Sequence, residues 1–364
     1  MHSIIRSESI TKVHNKETFL YITNNFSQAE LAILSVLGSK NDFLIFINDN
    51  HKGYNFLTDY QIPGNVKITS DFKSVIMLAA IFSAVITTVG HISPVLNVKI
   101  ISILKACISS EIPIIEVPHG LYQWGYNLVD DSKFVNTASN TLGAGYPVPS
   151  FADHQISWFD NTGIGYPRHR TEKIKCTENI MVPDYTVITT NTNWYMYGFE
   201  DQRVLAQSIF EYAKANPERM FIWCHHPAEL NATNLINNML GAKPANIFRY
   251  GHDKDIYFHS LDTTEEVIQY AQAGISTIST CLLDYELYNI PTAIFQTEGL
   301  STIQNSMIQA SFFSSQKELN SLKFEIPKTG HLQDYNVSNF DDRINELTRR
   351  KQYQNKAQRI ILTL

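Results

Sequence analysis

From residue 18 onward, short apolar runs alternate with amphipathic stretches. TFLYITNN, DFLIFIND, VITTVG and PIIEVPHG are nearly continuous in apolar and β-branched residues, and each ends in polar ones. Between them, SQAELAILSVLGS, FKSVIMLAAIFSA and PVLNVKIISILKACISS place apolar residues at helical spacing, with Ser27 positioned to cap the first. Such runs predict strands buried on both faces of a parallel sheet, with the helices as its cover. The rhythm stops over residues 121–183, which are rich in Gly, Asn, Ser, Pro and aromatics. This composition predicts irregular structure lining a cleft, then an inter-domain linker. Alternation resumes with the strands YTVITTNT, RMFIWCHH, DIYFHS, ISTIST and PTAIFQ. The intervening helices are EDQRVLAQSIFEYAKAN, NATNLINNMLGA, TTEEVIQYAQA and CLLDYELYN. The expected architecture is α/β, with two Rossmann-like β/α domains facing a central cleft. They span residues 1–170 and 171–338, and a C-terminal helix covers 339–364.

Composition narrows the function classes. With 364 residues, 44% hydrophobic and 18% charged, the chain can build two ordinary cores. Its formal net charge of −6 argues against nucleic-acid binding, which needs an excess of Lys and Arg. Residues 75–98 carry no formal charge, but Gly90 and Pro94 break them into a helix, a strand and a loop rather than a membrane span. The N-terminus has no apolar signal core, and Cys107, Cys176, Cys224 and Cys281 lack metal-ligand spacing. They read as free thiols of a cytoplasmic protein. No metal site is expected.

Ligands of parallel sheets bind beyond the carboxyl ends of the strands, so the residues there are the candidates. In the first half these ends are Asn24-Asn25, Asn48-Asp49-Asn50, Gly90-His91 and His119-Gly120. In the second half they are Asn191-Thr192-Asn193, His225-His226 and Thr280. His119 is a candidate general base, or a histidine bonded to a loop carbonyl; Gly120 beside it permits a sharp turn or a close approach. His225 and His226 alternate across a strand, and Pro227 favours an extended His226 that projects from its end. His226 is therefore the expected ligand contact and His225 the structural one. Ser279, Thr280 and the first backbone amides of the helix they enter can bind phosphate, or Thr280 can simply cap that helix. Asn191, Thr192 and Asn193 form a polar turn suited to a diphosphate or sugar, or to an ordinary loop.

Tyr122, Trp124 and Tyr126 can stack on sugar rings or pack on the domain, and His91 joins them on the acceptor side. Asp130-Asp131 could hold a metal, but adjacent carboxylates in a polar loop are usually just solvated. Dinucleotide-fingerprint, P-loop and nucleophile-elbow motifs do not occur.

Taken together, PHG at 118–120, HHP at 225–227, STIST at 276–280 and the following DYELYNIP resemble bacterial surface-polysaccharide glycosyltransferases of the GT-B type. The similar groups are the CDP-glycerol glycerophosphotransferases, Kdo-transferases and bacterial sialyltransferases. Asp284 stands seven residues before Pro291, where that resemblance implies an acid contacting the nucleotide ribose. SFADHQISWFDNTGIGYPRHR likewise resembles the strand before the inter-domain linker. The resemblance implies a nucleotide-sugar donor, cytidine favoured (for example CMP-Kdo or CMP-sialic acid), with phosphate on His226, Ser279 and Thr280. The acceptor is a glycan or lipid-linked glycan presented by the N-terminal domain, and no cofactor or divalent metal is required. The identity of the catalytic base stays open, because the Asp/Glu-Asp-Gly motif of sialyltransferases is not evident. Alternatives on the same fold are a polyol-phosphate transferase and a nucleotide-sugar 2-epimerase; a non-catalytic nucleotide- or sugar-binding subunit is the alternative from another class. The tail residues Arg349, Arg350, Lys351, Lys356 and Arg359 form either a solvated helix face or a peripheral contact with the inner membrane.

Overall fold

The computed structural model describes residues 17–23, 26–48, 62–88, 98–118, 120, 124–126, 134–136, 152–156, 158, 163–169, 184–192, 197–226, 229, 235–250, 263–297 and 308–349. In the first half, β1 (Thr18–Thr23), α1 (Phe26–Val36), β2 (Asp42–Ile47), β3 (Val66–Thr69) and α2 (Phe72–Met77) are followed by β4 (Ala84–Thr87), α3 (Val98–Ser109) and β5 (Ile114–Glu116). A two-stranded hairpin of β6 (Trp124–Tyr126) and β7 (Phe134–Asn136) precedes β8 (His154–Gln155). The first sheet runs β3-β2-β1-β4-β5-β8, with every pairing parallel.

The second half repeats the plan. β9 (Tyr185–Thr190), α4 (Phe199–Ala215), β10 (Met220–His225), α5 (Leu235–Met239) and β11 (Ile247–Arg249) are followed by α6 (Thr264–Gln269) and β12 (Ala273–Ser276). Then come α7 (Cys281–Leu287), β13 (Thr292–Phe295), β14 (Ser311–Phe313), α8 (Gln316–Ser321) and α9 (Val337–Arg349). The second sheet runs β11-β10-β9-β12-β13-β14, again parallel throughout. Both sheets thus have the doubly wound order, with the reversal between β1 and β4 and between β9 and β12. In sheets of this order the connections after the two strands at the reversal turn to opposite faces, and ligands bind beyond the carboxyl ends there.

The expected central strands are all present. Of the strands missed by periodicity, β3, β11 and β14 are sheet edges of only three or four residues, and β6 and β7 pair with each other inside the stretch expected to be irregular. An edge strand is paired on one side only and less covered than a central one, so exposed Lys67 and half-buried Arg249 are tolerated there and the apolar signal is lost. DIYFHS lies outside the described residues. Two details differ from expectation: α1 begins at Phe26, putting Ser27 inside its first turn rather than at the cap, and the ISTIST strand ends at Ser276. Within 75–98 the end of α2, a short 3₁₀ turn and β4 follow one another as expected and pack on α3 through Val75, Ala79, Val85, Ile100 and Leu104, while Gly90 and Pro94 lie outside the described residues. No described helix is long and apolar enough to cross a membrane.

The C-terminal helix returns to the first sheet. Phe340 is buried against Trp158 at 5.4 Å between ring centres. Asp341 accepts from Ser39 Oγ at 2.6 Å, the Lys40 amide at 3.0 Å and Asn41 Nδ2 at 3.2 Å, which ties α9 to the turn after α1. Residues 163–169 run beside 333–341: Asn336 N–H donates to Ile164 O (2.7 Å) and Tyr335 N–H to His169 O (2.7 Å). The crossing strands of chain are so close that a Cβ on Gly165, whose φ is +74°, would lie 2.5 Å from Asp334 O. Arg349 ends α9, and the remaining basic tail residues lie outside the described residues.

Candidate functional site

Three loops converge at the reversal point of the second sheet, and one carboxylate ties two of them. Glu229, 1% exposed, follows β10 by one turn. Its Oε1 accepts from the Thr192 amide and hydroxyl, both at 2.6 Å, and its Oε2 from Thr190 Oγ1 at 2.7 Å and the His226 amide at 3.1 Å. Burial raises its pKa, and these hydroxyl and amide donors pull against that shift. Trp223 Nε1 donates to Thr190 Oγ1 at 2.9 Å, so a polar chain runs from the strand interior to Glu229. The third loop joins through Asn191 N–H to Thr277 Oγ1 (2.8 Å) and Ile278 N–H to the Tyr197 hydroxyl (3.3 Å).

His226 sits on this frame. Its amide donates to Thr190 O at 3.0 Å as well as to Glu229, which fixes the backbone one residue beyond the strand. The side chain is half-buried, and burial lowers its pKa below the ordinary imidazole value, favouring the neutral ring near pH 7. His225 closes β10 opposite Thr190. Asn191 is half-buried, whereas the Thr192 hydroxyl is turned toward Glu229. Ser279 and Thr280 lead into α7. Capping is done by Ser279 and not, as expected, by Thr280: the Cys281 amide donates to Ser279 Oγ at 3.0 Å, while Thr280 already has helical backbone angles and makes no side-chain cap.

The two halves meet at this loop. Gly120 is buried, and a Cβ placed on it would clash with Thr280 Oγ1. Gly120 and Thr280 are therefore neighbours across the two halves, and a side chain at 120 would require Thr280 to shift. Trp158 Nε1 donates to Pro118 O at 2.5 Å and holds the preceding turn. Gly120→Ala should lower the melting temperature, and Thr280→Ala should relieve it. In a double-mutant cycle by calorimetry, the expected coupling is about 1–3 kcal/mol, whereas additive effects would refute the contact. His91, His119, Tyr122 and Asn193 lie outside the described residues, as do Asp130-Asp131 and Cys176. Trp124 lies in the β6–β7 hairpin. The described cysteines Cys107, Cys224 and Cys281 are free thiols.

Asp284, in the first turn of α7, is buried and lies beside the crossing segment, with Oδ1 3.6 Å from His169 Nε2. Around them Arg168 pairs with Glu30 of α1 at 2.8 Å, and Tyr288 donates to Glu265 Oε1 at 2.9 Å. Burial and the negative charge of Asp284 push the Glu265 carboxyl up to about 7, against the pull of Arg168 and the tyrosine hydroxyl. Sequence reasoning gave no role to Glu229, Arg168 or His169. Glu229 had one signal: no other Asp, Glu, Lys or Arg lies between Arg219 and Lys243.

No protein-family model and no curated protein sequence matches the chain. Solved structures do. The Methanocaldococcus jannaschii UDP-GlcNAc 2-epimerase, in complex with UDP-GlcNAc and UDP, has a TM-score of 0.53 at 13% identity, covering 91% of this chain and 99% of the other. S. aureus MnaA with UDP has a TM-score of 0.50 at 9% identity, covering 94% of this chain and 91% of the other. The chain has the GT-B-like fold. AviGT4, a glycosyltransferase of avilamycin A biosynthesis, aligns with a TM-score of 0.44 at 10% identity, over 92% of this chain and 97% of the other. In this GT-B-like chain, the inter-domain contact between Gly120 and Thr280 falls at the carboxyl ends of both sheets, the position from which parallel sheets bind ligands.

Proposed function

We propose that this chain is a nucleotide-sugar enzyme, and specifically a glycosyltransferase. The second sheet holds the donor, and the first presents the hydroxyl of a glycan or lipid-linked acceptor. The observation that carries this reading is the convergence of three second-sheet loops on Glu229, Thr277 and Tyr197, with Gly120 of the first half against Thr280. In this reading, His226, Ser279 and Thr280 bind the donor phosphate. Asp284 binds the ribose, and Asn191 with its neighbours Thr192 and Asn193 contacts the diphosphate or sugar. His119 is the candidate base, with Gly120, Tyr122, Trp124 and His91 on the acceptor side. A neutral His226 can donate one N–H to the departing phosphate, and a positioned donor of this kind stabilises the charge as it develops. The proposal needs no divalent metal or organic cofactor. A cytidine nucleotide is the preferred donor in this reading, on the likeness of its HP and STIST segments to cytidine-nucleotide users.

A second reading, a nucleotide-sugar 2-epimerase, is favoured by one observation: the matched archaeal epimerase holds UDP-GlcNAc and UDP on this same fold. One experiment separates the readings. Melting temperature is measured with CMP, CDP, UDP, GDP and their sugars, because ligand binding to the native state raises it. The stabilising sugar nucleotide is then incubated with and without glycan acceptors. Turnover that requires an acceptor supports transfer, and conversion of the donor alone supports epimerisation. Absence of a shift with every nucleotide would overturn both. Contact of the basic tail with anionic lipid belongs to the same proposal, and flotation with anionic vesicles tests it.

A further inference from the structure

His169 is anchored more firmly than a linker residue needs to be. Its amide donates to Tyr166 O at 2.8 Å, closing a tight turn, and its carbonyl accepts from Tyr335 N–H at 2.7 Å. Its ring packs edge-on against Tyr166, 5.2 Å between centres. The residue is 1% exposed, yet neither ring nitrogen has a hydrogen-bond partner. Asp284 Oδ1, directly opposite, is also buried without one. Buried polar atoms are almost always bonded, so two facing groups that both lack a bond need a specific reason. The 3.6 Å between Nε2 and Oδ1 is just beyond hydrogen-bond length, and a shift of well under 1 Å closes it into a charge-assisted bond. Asp284 stands one turn into α7, the helix that follows the Ser279-Thr280 loop, whereas His169 belongs to the segment crossing between the sheets.

We propose that His169 is the positioning residue for Asp284: it bonds Oδ1 when a ribonucleotide occupies the site, and so aims the other carboxylate oxygen at the ribose hydroxyls. This rests on the nucleotide-site reading above and adds to it a residue from outside the second sheet. The imidazole acts through Asp284 and does not touch the sugar. Ribose recognition is thereby linked to the crossing segment, which Tyr335 and α9 clamp to the first half.

The test is calorimetric titration of the full chain with UDP and CDP, each against its 2′-deoxy and 3′-deoxy counterparts. Wild type should prefer the ribonucleotide by about tenfold or more, as expected for one bond to a charged group. Asp284→Asn should remove most of that preference. His169→Ala should reduce it to about threefold or less while leaving the ratio of UDP to uridine affinity unchanged. His169→Gln, which keeps a donor, should restore part of it. A merely structural histidine would lower the melting temperature without altering the ribose-to-deoxyribose ratio. Retention of the full ratio in His169→Ala, with its loss in Asp284→Asn, would overturn the role of His169 alone. A wild type that binds nucleotides without preferring ribose also overturns it and leaves the nucleotide site standing. Failure of UDP and CDP alike to bind overturns both.

Discussion

Replacing His226 with alanine should lower turnover of the nucleotide-sugar substrate by about 100- to 1,000-fold while leaving the fold intact. That magnitude is typical for removal of one preorganised donor to a charge that develops in the transition state. The fold should survive because the frame around His226 uses its backbone: its amide bonds Thr190 O and Glu229, and alanine keeps both bonds. The ring is half-buried, and burial keeps its pKa low. It therefore acts as a neutral N–H donor near pH 7, and because an imidazolium keeps that N–H and adds positive charge, protonating it should not by itself weaken its hold on the departing phosphate. The measurement is steady-state nucleotide release, with circular dichroism and melting temperature as controls. Turnover within a factor of a few of wild type would remove His226 from the machinery. The same substitution at His225 should cost far less, because that residue closes a strand opposite Thr190.

The second large effect is on stability. Glu229→Ala should destabilise the second half by about 3 kcal/mol or more, because it leaves two buried hydroxyls and the Thr192 amide without their acceptor. For a domain of ordinary size this is a fall of about 6–12 °C in melting temperature. Glu229→Gln keeps the shape but turns an amide NH₂ toward donors at one end, so it should lie between wild type and alanine. Nucleotide binding should weaken in both, since the loops after β9 and β10 lose their common tie. Differential scanning calorimetry checks the first expectation and titration the second. Glu211, paired with Lys214 on the exposed face of α4, is the control, and its removal should leave the melting temperature essentially unchanged. Equal effects at the two positions would mean that the Glu229 network contributes nothing.

The central strands and most helices were legible because burial imposes a pattern on sequence. YTVITT is buried at every position and flanked by helices, and a strand in that setting has few alternatives to apolar and β-branched residues. The position of polar residues after the strands was legible for the same reason. In a parallel sheet all carboxyl ends lie on one edge, so chain order alone sends Asn191, His226 and Ser279 to one side. Edge strands were not legible, because half-exposed segments such as VKIT carry a weaker apolar constraint.

What escaped the sequence is pairing between distant residues. Glu229 is a single glutamate until folding brings Thr190, Thr192 and His226 around it. Thr280 has the residue type of a helix cap, yet the local backbone gives that bond to Ser279. Gly120 reads as a turn glycine, and its contact with Thr280 depends on how the two halves dock. His169 and Asp284 are separated by most of the second half and meet only because the chain crosses between sheets beside α7. Hydrophobic burial is a local constraint repeated along each strand, so the residue pattern suffices for the two parallel β/α halves and for the edge on which their polar residues collect. Which of those residues hold one another follows from the folded arrangement, because hydrogen bonds and van der Waals contacts act over a few ångströms that no spacing along the chain encodes.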